Sequence, residues 1–407
     1  MSDGRIIKII IVIAILLRIM FVWQFVDIRS INQWEYSETA KNIIHNNGYS
    51  LFYFDNDSLE YKYKEGIKPF SSAYMPPGYV LIILPFFFFD DIFITNLLII
   101  SLHIFFSALV IFFLSKLCVK LFDKLVALIA IIVYAVLPEF IYAVISISPT
   151  IIFHLLIILT LYRLLLNQGK NKFDIVVPLL LSFLIYLRSE FVLFSVLLIG
   201  SFALKKHFKI AFTTLLLITL FILPWSIRNL IEFSQIIPFT TNFGQNLYRG
   251  NNASDVGWWG EEIMIEKIKK LPRDNSFEIH SNGMYLERAI SYVKENPLKF
   301  VENGFRKQFE LWIFNLSDPR ALNVLYLAPS IFILLFFSIG LIKTFDVSKH
   351  KFIYLFFLHG IVIAAIFFAL PRYQTMMKIL MIPFTAAGLI FTYNSLINRF
   401  SSNKHKN

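Results

Sequence analysis

The sequence predicts an all-α polytopic membrane protein, and three observations carry that prediction. Hydrophobic residues fill 57% of the 407 positions and charged residues only 16%, with a mean hydropathy of +0.66; soluble domains carry roughly 25% charged residues. Apolar runs of about 20 residues, the length that spans a bilayer, recur along the whole chain. The net charge of +11 is concentrated in short basic tracts between apolar runs or at the termini. These are Arg5/Lys8, Lys116/Lys120/Lys124, Arg163/Lys170/Lys172, Lys205/Lys206/Lys209, Lys343/Lys349/Lys351 and Arg399/Lys404/Lys406. That is the positive-inside pattern. By contrast, 27–91 holds five Lys/Arg against nine Asp/Glu, and 228–321 holds twelve against twelve. The excess positive charge therefore encodes orientation, and nucleic acid is not indicated as a partner.

Placing every basic tract in the cytoplasm gives one threading of about ten helices with both termini inside. The first, 6–26, is longer than the apolar core of a cleaved signal, and Phe25-Val26-Asp27 lacks the small residues of a cleavage site. It runs outward into a large outer loop, 27–91. Helices follow at about 92–115, 125–145, 149–166, 174–187, 191–204 and 208–224. A second outer segment, 225–321, precedes helices at about 322–342, 352–370 and 374–396. The stretch Tyr79–Phe89 is too short to span, and counting it as a span would invert the Lys116/Lys120/Lys124 tract; it reads as a re-entrant or interfacial segment. The organisation is thus a core over 1–224 with its first outer loop, an extracytoplasmic segment over 225–321, and C-terminal helices with a basic tail over 322–407.

The outer segments carry their own structure. Trp34, Ala40, Ile43 and Ile44 recur at roughly helical spacing within 32–47, predicting an amphipathic helix lying on the membrane. From 281 to 313, Tyr285, Ala289, Tyr292, Val293, Phe300, Phe305, Phe309 and Trp312 recur every three or four positions, predicting a second helix. Cys118 is the only cysteine, so no intrachain disulfide forms. No Cys/His cluster has zinc spacing and no Gly-rich phosphate loop is present, so neither a metal nor a cofactor is expected. No fixed-period repeat is visible, which argues against a solenoid and against a transporter built from internal repeats.

Several polar residues could carry chemistry. Asp27 ends the first helix, as a boundary residue or as a carboxylate at a cavity mouth able to act as general base. Glu35 and Glu38 share a face of the surface helix. Tyr74-Met75-Pro76-Pro77-Gly78-Tyr79 is a rigid bend at the membrane surface. Arg188, with Glu190 as a local partner, lies in the turn between two short helices, and Arg372 opens the last helix in Pro371-Arg372-Tyr373. Guanidinium groups at a membrane boundary suit a phosphate headgroup, which they bind in a bidentate manner, or they snorkel to ordinary lipid. Arg18, Glu139 and Lys378 are costly inside an apolar helix unless paired or functional. Arg228, after Pro224-Trp225, and the run Asn242 to Asn252 place amides and Arg249 beside aromatic rings, partners a sugar ring needs.

Taken in order, these residues resemble the GT-C superfamily of polyprenyl-phosphate-sugar-dependent glycosyltransferases, in the bacterial group related to aminoarabinose transferases and protein O-mannosyltransferases. The resemblance rests on Glu35-Tyr36-x-x-x-Ala40-x-Asn42 with Gly48-Tyr49-Ser50, Met75-Pro76-Pro77-Gly78-Tyr79, Leu187-Arg188 and Pro224-Trp225-x-x-Arg228-Asn229. Thr241-Asn242-x-Gly244-x-Asn246-Leu247-Tyr248-x-Gly250-Asn251-Asn252 and Pro371-Arg372-Tyr373 complete it. It implies an enzyme of the bacterial inner membrane, active site facing outward, that makes an inverting transfer from a lipid-linked sugar donor to a glycan, lipid or protein acceptor. It further implies a catalytic carboxylate at Asp27 or Glu35 and a donor-phosphate site at Arg372, Arg188 and Tyr373. Substrate contacts fall to Asn32, Tyr36, Tyr74, Arg228, Asn242, Asn246 and Arg249. The sequence departs from the family twice. Asn32 stands where relatives often carry the aspartate, and Ser148-Pro149-Thr150 stands where they often carry a second acidic residue, which argues against a metal site. An O-antigen-type polymerase or ligase, a non-catalytic binder of lipid-linked sugar, and a transporter are the rival readings.

Overall fold

A bundle of long apolar helices carries a cap of short helices and one β-hairpin at one end. The computed structural model describes residues 3–168, 173–253, 262–313 and 323–404; Lys170, Lys172, Lys406 and positions 254–261 and 314–321 of the expected outer segment 225–321 lie outside the described residues. In chain order the elements are α1 (Asp3–Phe25), α2 (Glu35–Ile44), β1 (Tyr53–Asp55), β2 (Ser58–Glu60), α3 (Pro77–Ile83), α4 (Ile92–Leu121), α5 (Lys124–Val136), α6 (Pro138–Tyr142), α7 (Thr150–Leu166), α8 (Val176–Leu187) and α9 (Phe191–Leu204). Then come α10 (Phe208–Phe233), α11 (Phe243–Gly250), α12 (Glu262–Lys269), α13 (Phe277–Glu295), α14 (Pro297–Trp312), α15 (Val324–Lys343), α16 (Val347–Ile366) and α17 (Pro371–Lys404). The strands β1 and β2 pair antiparallel, Phe54 opposite Leu59.

Each of the ten expected apolar runs is helical, but they divide into two sets. Among the described residues six helices (α1, α4, α10, α15, α16 and α17) are long and apolar enough to cross a membrane. The other four, α5, α7, α8 and α9, have only 13, 17, 12 and 14 residues, below the roughly 20 that a perpendicular span needs. Pro138 divides the run expected over 125–145, because proline lacks the amide that would continue the ladder. The helix expected to stop at Pro224 continues instead to Phe233, where Ser234 adopts a left-handed backbone (φ 53°) and ends it. Tyr79–Phe89 folds as α3 and a 3-10 turn over Leu84–Phe88, with Tyr79, Val80 and Ile83 buried.

Polar caps set several starts. Asp123 accepts from the amides of Leu125 (2.8 Å) and Val126 (2.9 Å) at α5, and Asp346 from Lys349 (3.0 Å) at α16; such caps contribute about 1 kcal/mol each. Lipid is as apolar as the side chains it meets, so helices associate through close approach and internal polar bonds. Gly340 and Gly388 let α15 and α17 touch: a Cβ on Gly340 would collide with the Phe384 carbonyl, and one on Gly388 with that of Phe336. Buried ions are paired or held by carbonyls. Lys378 lies 2.9 Å from Glu139 and donates to Ser330 Oγ (2.8 Å). Arg18 donates to the carbonyls of Ala14 (3.0 Å) and Ala135 (3.2 Å) and faces the Tyr134 ring. Arg18 and Glu139 thus have separate partners.

The basic ends of the helices gather at one end of the bundle, where Gln168 of the α7 exit donates to the Ser348 carbonyl of α16 (2.7 Å) and Lys343 of α15 lies over Phe391 of α17. The cap occupies the other end, and two of its helices differ from expectation. In α2 the buried residues are Ser37, Glu38, Thr39, Ala40 and Asn42 while Trp34 is exposed. The polar face therefore packs into the protein, with Glu38 accepting from Lys41 (2.9 Å) and the Tyr63 amide (2.7 Å). The helix expected over 281–313 is two helices broken at Asn296-Pro297. Tyr285, Ala289 and Tyr292 of α13 are buried, whereas Leu298, Val301, Phe305 and Phe309 of α14 form an outward apolar stripe.

Candidate active site

The capped end brings together charged groups from four separate parts of the chain. Arg188 stands at the end of α8, where it pairs with Glu190 (2.5 Å) and lies over the Tyr373 ring, 4.8 Å from its centroid. Arg372, exposed in the first turn of α17, faces the same ring at 5.4 Å. Arg249 comes from the last turn of α11 and lies over Phe368 at 4.6 Å. Gly250 positions it: a Cβ there would strike the Phe367 carbonyl, so only glycine lets α11 press against the α16–α17 link. Asn251 fastens the contact by donating to the Ile366 carbonyl (2.8 Å).

Phenols and a carboxylate complete the cluster. Tyr36 of α2 packs edge-on to Tyr79 (5.1 Å between centroids). Burial pushes its hydroxyl up, against the pull of Arg188 and Arg372, with Glu190 and Glu35 also in reach. Burial likewise raises the Tyr74 phenol, which feels Glu35, Arg249, Glu278 and Arg372. Arg249 is pushed down by burial, with Tyr74, Tyr373, Arg372 and Glu35 the charges it senses. Glu35 is therefore the carboxylate shared by Tyr36, Tyr74 and Arg249, and its side chain accepts no hydrogen bond among the described residues.

Beside the cluster lies a cavity of about 530 Å³ between α2, the hairpin, α12 and α13. Glu35, Tyr74, Trp34, Tyr61 and Asn282 line it, and Glu278 lies in its wall. Glu278 is buried and accepts from the Ala73 amide (2.9 Å) and Thr241 hydroxyl (2.5 Å), tying α13 to the first outer loop. Burial raises its carboxyl above the usual range. An apolar groove of about 280 Å³ runs between α8, α9 and α10 under Pro238 and Phe239, next to the Ser189–Thr240 contact of 3.3 Å.

The other expected site residues fall in different places. Asp27 is exposed and caps a 3-10 turn over Ile28–Ser30, accepting from the Arg29 amide at 3.1 Å; it lines neither cavity nor cluster. Asn32 is exposed in the link to α2. Arg228 is committed to structure: it donates to the carbonyls of Ser72 (2.7 Å) and Tyr49 (2.8 Å) and lies over the rings of Tyr49, Trp225 and Phe233. Asn242 donates to the Tyr74 carbonyl (2.7 Å) and holds that tyrosine's segment in place. Asn246 is half-buried in α11. Glu278 has no motif around it, and only the buried position of α13 reveals it. No group of three or more His, Cys, Asp or Glu gathers among the described residues.

No family model matches this chain, and no curated protein matches it by sequence. Solved structures do. The Archaeoglobus fulgidus oligosaccharyltransferase in the apo form superposes with a TM-score of 0.56 at 13% identity, over 99% of this chain and 52% of that one. The same enzyme tethered by a disulfide bond to an acceptor peptide containing the NVT sequon gives 0.56 at 13%, over 97% and 50%. The archaeal oligosaccharyltransferase AglB from that organism, in complex with an inhibitory peptide and a dolichol-phosphate, gives 0.54 at 11%, over 99% and 52%. The chain spans about half the length of these enzymes. At such identities the likeness is one of fold alone.

Proposed function

We propose that this protein is a membrane glycosyltransferase that moves a sugar from a polyprenyl-phosphate donor to an acceptor hydroxyl at the capped end of the bundle. One observation carries the reading: Arg188, Arg249 and Arg372 converge on Tyr36, Tyr74 and Tyr373 beside Glu35, a cavity-lining carboxylate that accepts no hydrogen bond among the described residues. Of the three, Arg372 has no carboxylate partner among the described residues and stays exposed. A planar guanidinium binds phosphate through two parallel hydrogen bonds.

In the proposed reaction the donor phosphate sits on Arg372, flanked by Arg249 and by Arg188, which Glu190 and the Tyr373 ring hold in place. The acceptor occupies the 530 Å³ cavity, where aromatic faces and amides suit a sugar or a hydroxyl-bearing peptide. Glu35 takes the proton from the acceptor hydroxyl as its oxygen attacks the anomeric carbon. The bond from that carbon to the phosphate oxygen breaks with its electron pair on the phosphate. The guanidinium groups stabilise the charge that develops there, and polyprenyl phosphate leaves. Attack opposite the leaving group inverts the anomeric centre. The isoprenoid tail runs down the groove between α8, α9 and α10, which opens beside Ser189, one residue from Arg188.

The reading takes Glu35 as the base because Asp27 serves as a cap away from the cavity. The test is turnover by the purified protein in lipid nanodiscs with a panel of radiolabelled polyprenyl-phosphate sugars and hydroxyl acceptors. Release of polyprenyl phosphate coupled to labelled acceptor is expected. Donor binding without release in every combination would leave a binder and overturn the transferase reading.

A further inference from the structure

At the end of the bundle opposite the arginine cluster lies a second polar cavity, of about 290 Å³, between the ends of α7 and α9 and the starts of α8, α10 and α16. Lys205, Lys351, His207, Asn167, Gln168 and Asp174 are among its lining residues. Lys205 follows α9 and Lys351 sits in the first turns of α16, yet both line this one cavity. Two ammonium groups offer only donors, so they repel and cannot hydrogen-bond each other.

Ordinary boundary lysines splay apart and reach for water or lipid headgroups. These two are held together by rigid surroundings. Gln168 bonds α7 to α16 through the Ser348 carbonyl (2.7 Å). The α9–α10 turn is closed by bonds from Lys206 to Ala203 (2.8 Å) and from His207 to Phe202 (3.0 Å), with Lys206 at φ 60°. The nearest acid does not neutralise the pair. Arg163 grips both oxygens of Asp174, at 2.8 and 2.9 Å, and Asn167 adds a bond at 2.8 Å. Neither lysine has a carboxylate partner among the described residues. A cavity lined by two lysines and an imidazole, whose one acid is already held by Arg163, is complementary to a compact dianion.

We propose that this cavity binds a phosphate group, carried by an anionic phospholipid headgroup or by a soluble phosphorylated molecule, between Lys205 and Lys351. The site does not depend on the transferase reading, and it uses no residue of the arginine cluster.

The experiment is native mass spectrometry and thermal melting of the full-length protein with phosphatidic acid, phosphatidylcholine or inorganic phosphate. Wild type, K351Q, K205Q/K351Q and the control K116Q/K120Q, which removes the same charge from the same end, are compared. Wild type and the control are expected to retain phosphatidic acid at least tenfold more tightly than K205Q/K351Q, with K351Q between them. K351Q relieves the repulsion, so its melting temperature without ligand should equal or exceed that of wild type. Competition by inorganic phosphate would support the site and assign it a soluble ligand; retention of phosphatidic acid alone would support it with a lipid ligand. Equal loss in K116Q/K120Q and K205Q/K351Q, or no preference of wild type for phosphatidic acid over phosphatidylcholine, would overturn it.

Discussion

Replacing Glu35 with Gln separates the two candidate bases most cleanly. The change keeps the shape of the side chain and removes its basicity. Glu35 lines the cavity and accepts no hydrogen bond among the described residues, while Arg249 and the phenols sense its charge, so the fold should lose no more than about 1 kcal/mol, the ordinary size of a point substitution. A positioned general base contributes about 10²–10⁴-fold. With each tenfold worth about 1.4 kcal/mol, the barrier rises by about 3–5 kcal/mol. Asp27→Asn is the matched control. Its carboxylate caps the turn through the Arg29 amide at 3.1 Å, and asparagine caps as well as aspartate, so fold and turnover should both persist. The assay is the initial rate of transfer from a radiolabelled polyprenyl-phosphate sugar at saturating acceptor, with melting temperature read on the same samples. Full activity in Glu35→Gln, or loss of activity in a folded Asp27→Asn protein, would refute the assignment.

Arg372→Ala should lower kcat/KM by about 10–100-fold, the worth of one or more charge-assisted bonds at about 1.5–3 kcal/mol each. Arg372→Lys should recover only part of it, because an ammonium cannot grip phosphate in a bidentate manner; full rescue by lysine would show that charge alone matters there. Gly250→Ala drives a methyl into the Phe367 carbonyl, so it should displace Arg249 and reduce transfer more than it reduces melting temperature. Equal activity in that variant would mean that the α11 contact does not position the cluster. A pH effect follows from Lys307 of α14, which is buried and donates to Asn251 Oδ1 (3.1 Å) and the Ala365 carbonyl (3.2 Å). Burial, partly offset by Glu310 and reinforced by Arg306, pushes its ammonium down to about 8, against about 10.4 in the unfolded chain. Between those values the unfolded chain holds a proton that the folded protein has lost, so stability rises with pH across the window. Wild type should therefore gain melting temperature relative to Lys307→Met between pH 8 and pH 10, and a constant difference between the two would contradict the burial argument.

Helices were legible in this sequence wherever their cause was local. Apolar length announces α1, α4 and α10 on its own, because any uninterrupted run of that kind must satisfy its backbone internally in lipid. Breaks were less legible, since Pro138 and Pro297 each start a new helix while Pro224, Pro329 and Pro383 sit inside continuous ones. What decides between these outcomes is whether neighbouring helices hold the chain straight, and periodicity does not report that. The same limit explains α2. Its Trp34, Ala40, Ile43 and Ile44 spacing predicts a membrane-facing stripe, yet Glu38 is buried because Lys41 and the Tyr63 amide satisfy its carboxylate, and the Tyr63 partner comes from the far side of a hairpin.

The candidate site divides along the same line. Arg188 and Arg372 could be picked out because each is a charge at the edge of an apolar helix, where it is costly without a partner. Their convergence on Tyr373 was not legible, because it joins the α8 exit to the start of α17. Arg228 stands in the family pattern, whereas Arg249 falls on an unspecified position between Tyr248 and Gly250. Yet the Arg228 guanidinium is spent on the carbonyls of Ser72 and Tyr49, whereas Arg249 is turned to the cluster by the one contact that Gly250 permits. Nothing in residue type separates two arginines that each follow an aromatic-rich stretch; only the partners available after folding do. The carboxylate follows the same logic. Asp27 and Glu35 are equally acidic in sequence, but a base must face the substrate, and Asp27, exposed and capping a turn, lines neither the cavity nor the arginine cluster. Glu35 lines a cavity with Tyr74 beside it, so under the proposed reading Asn32 leaves the base to a carboxylate three residues later, in the first turn of α2.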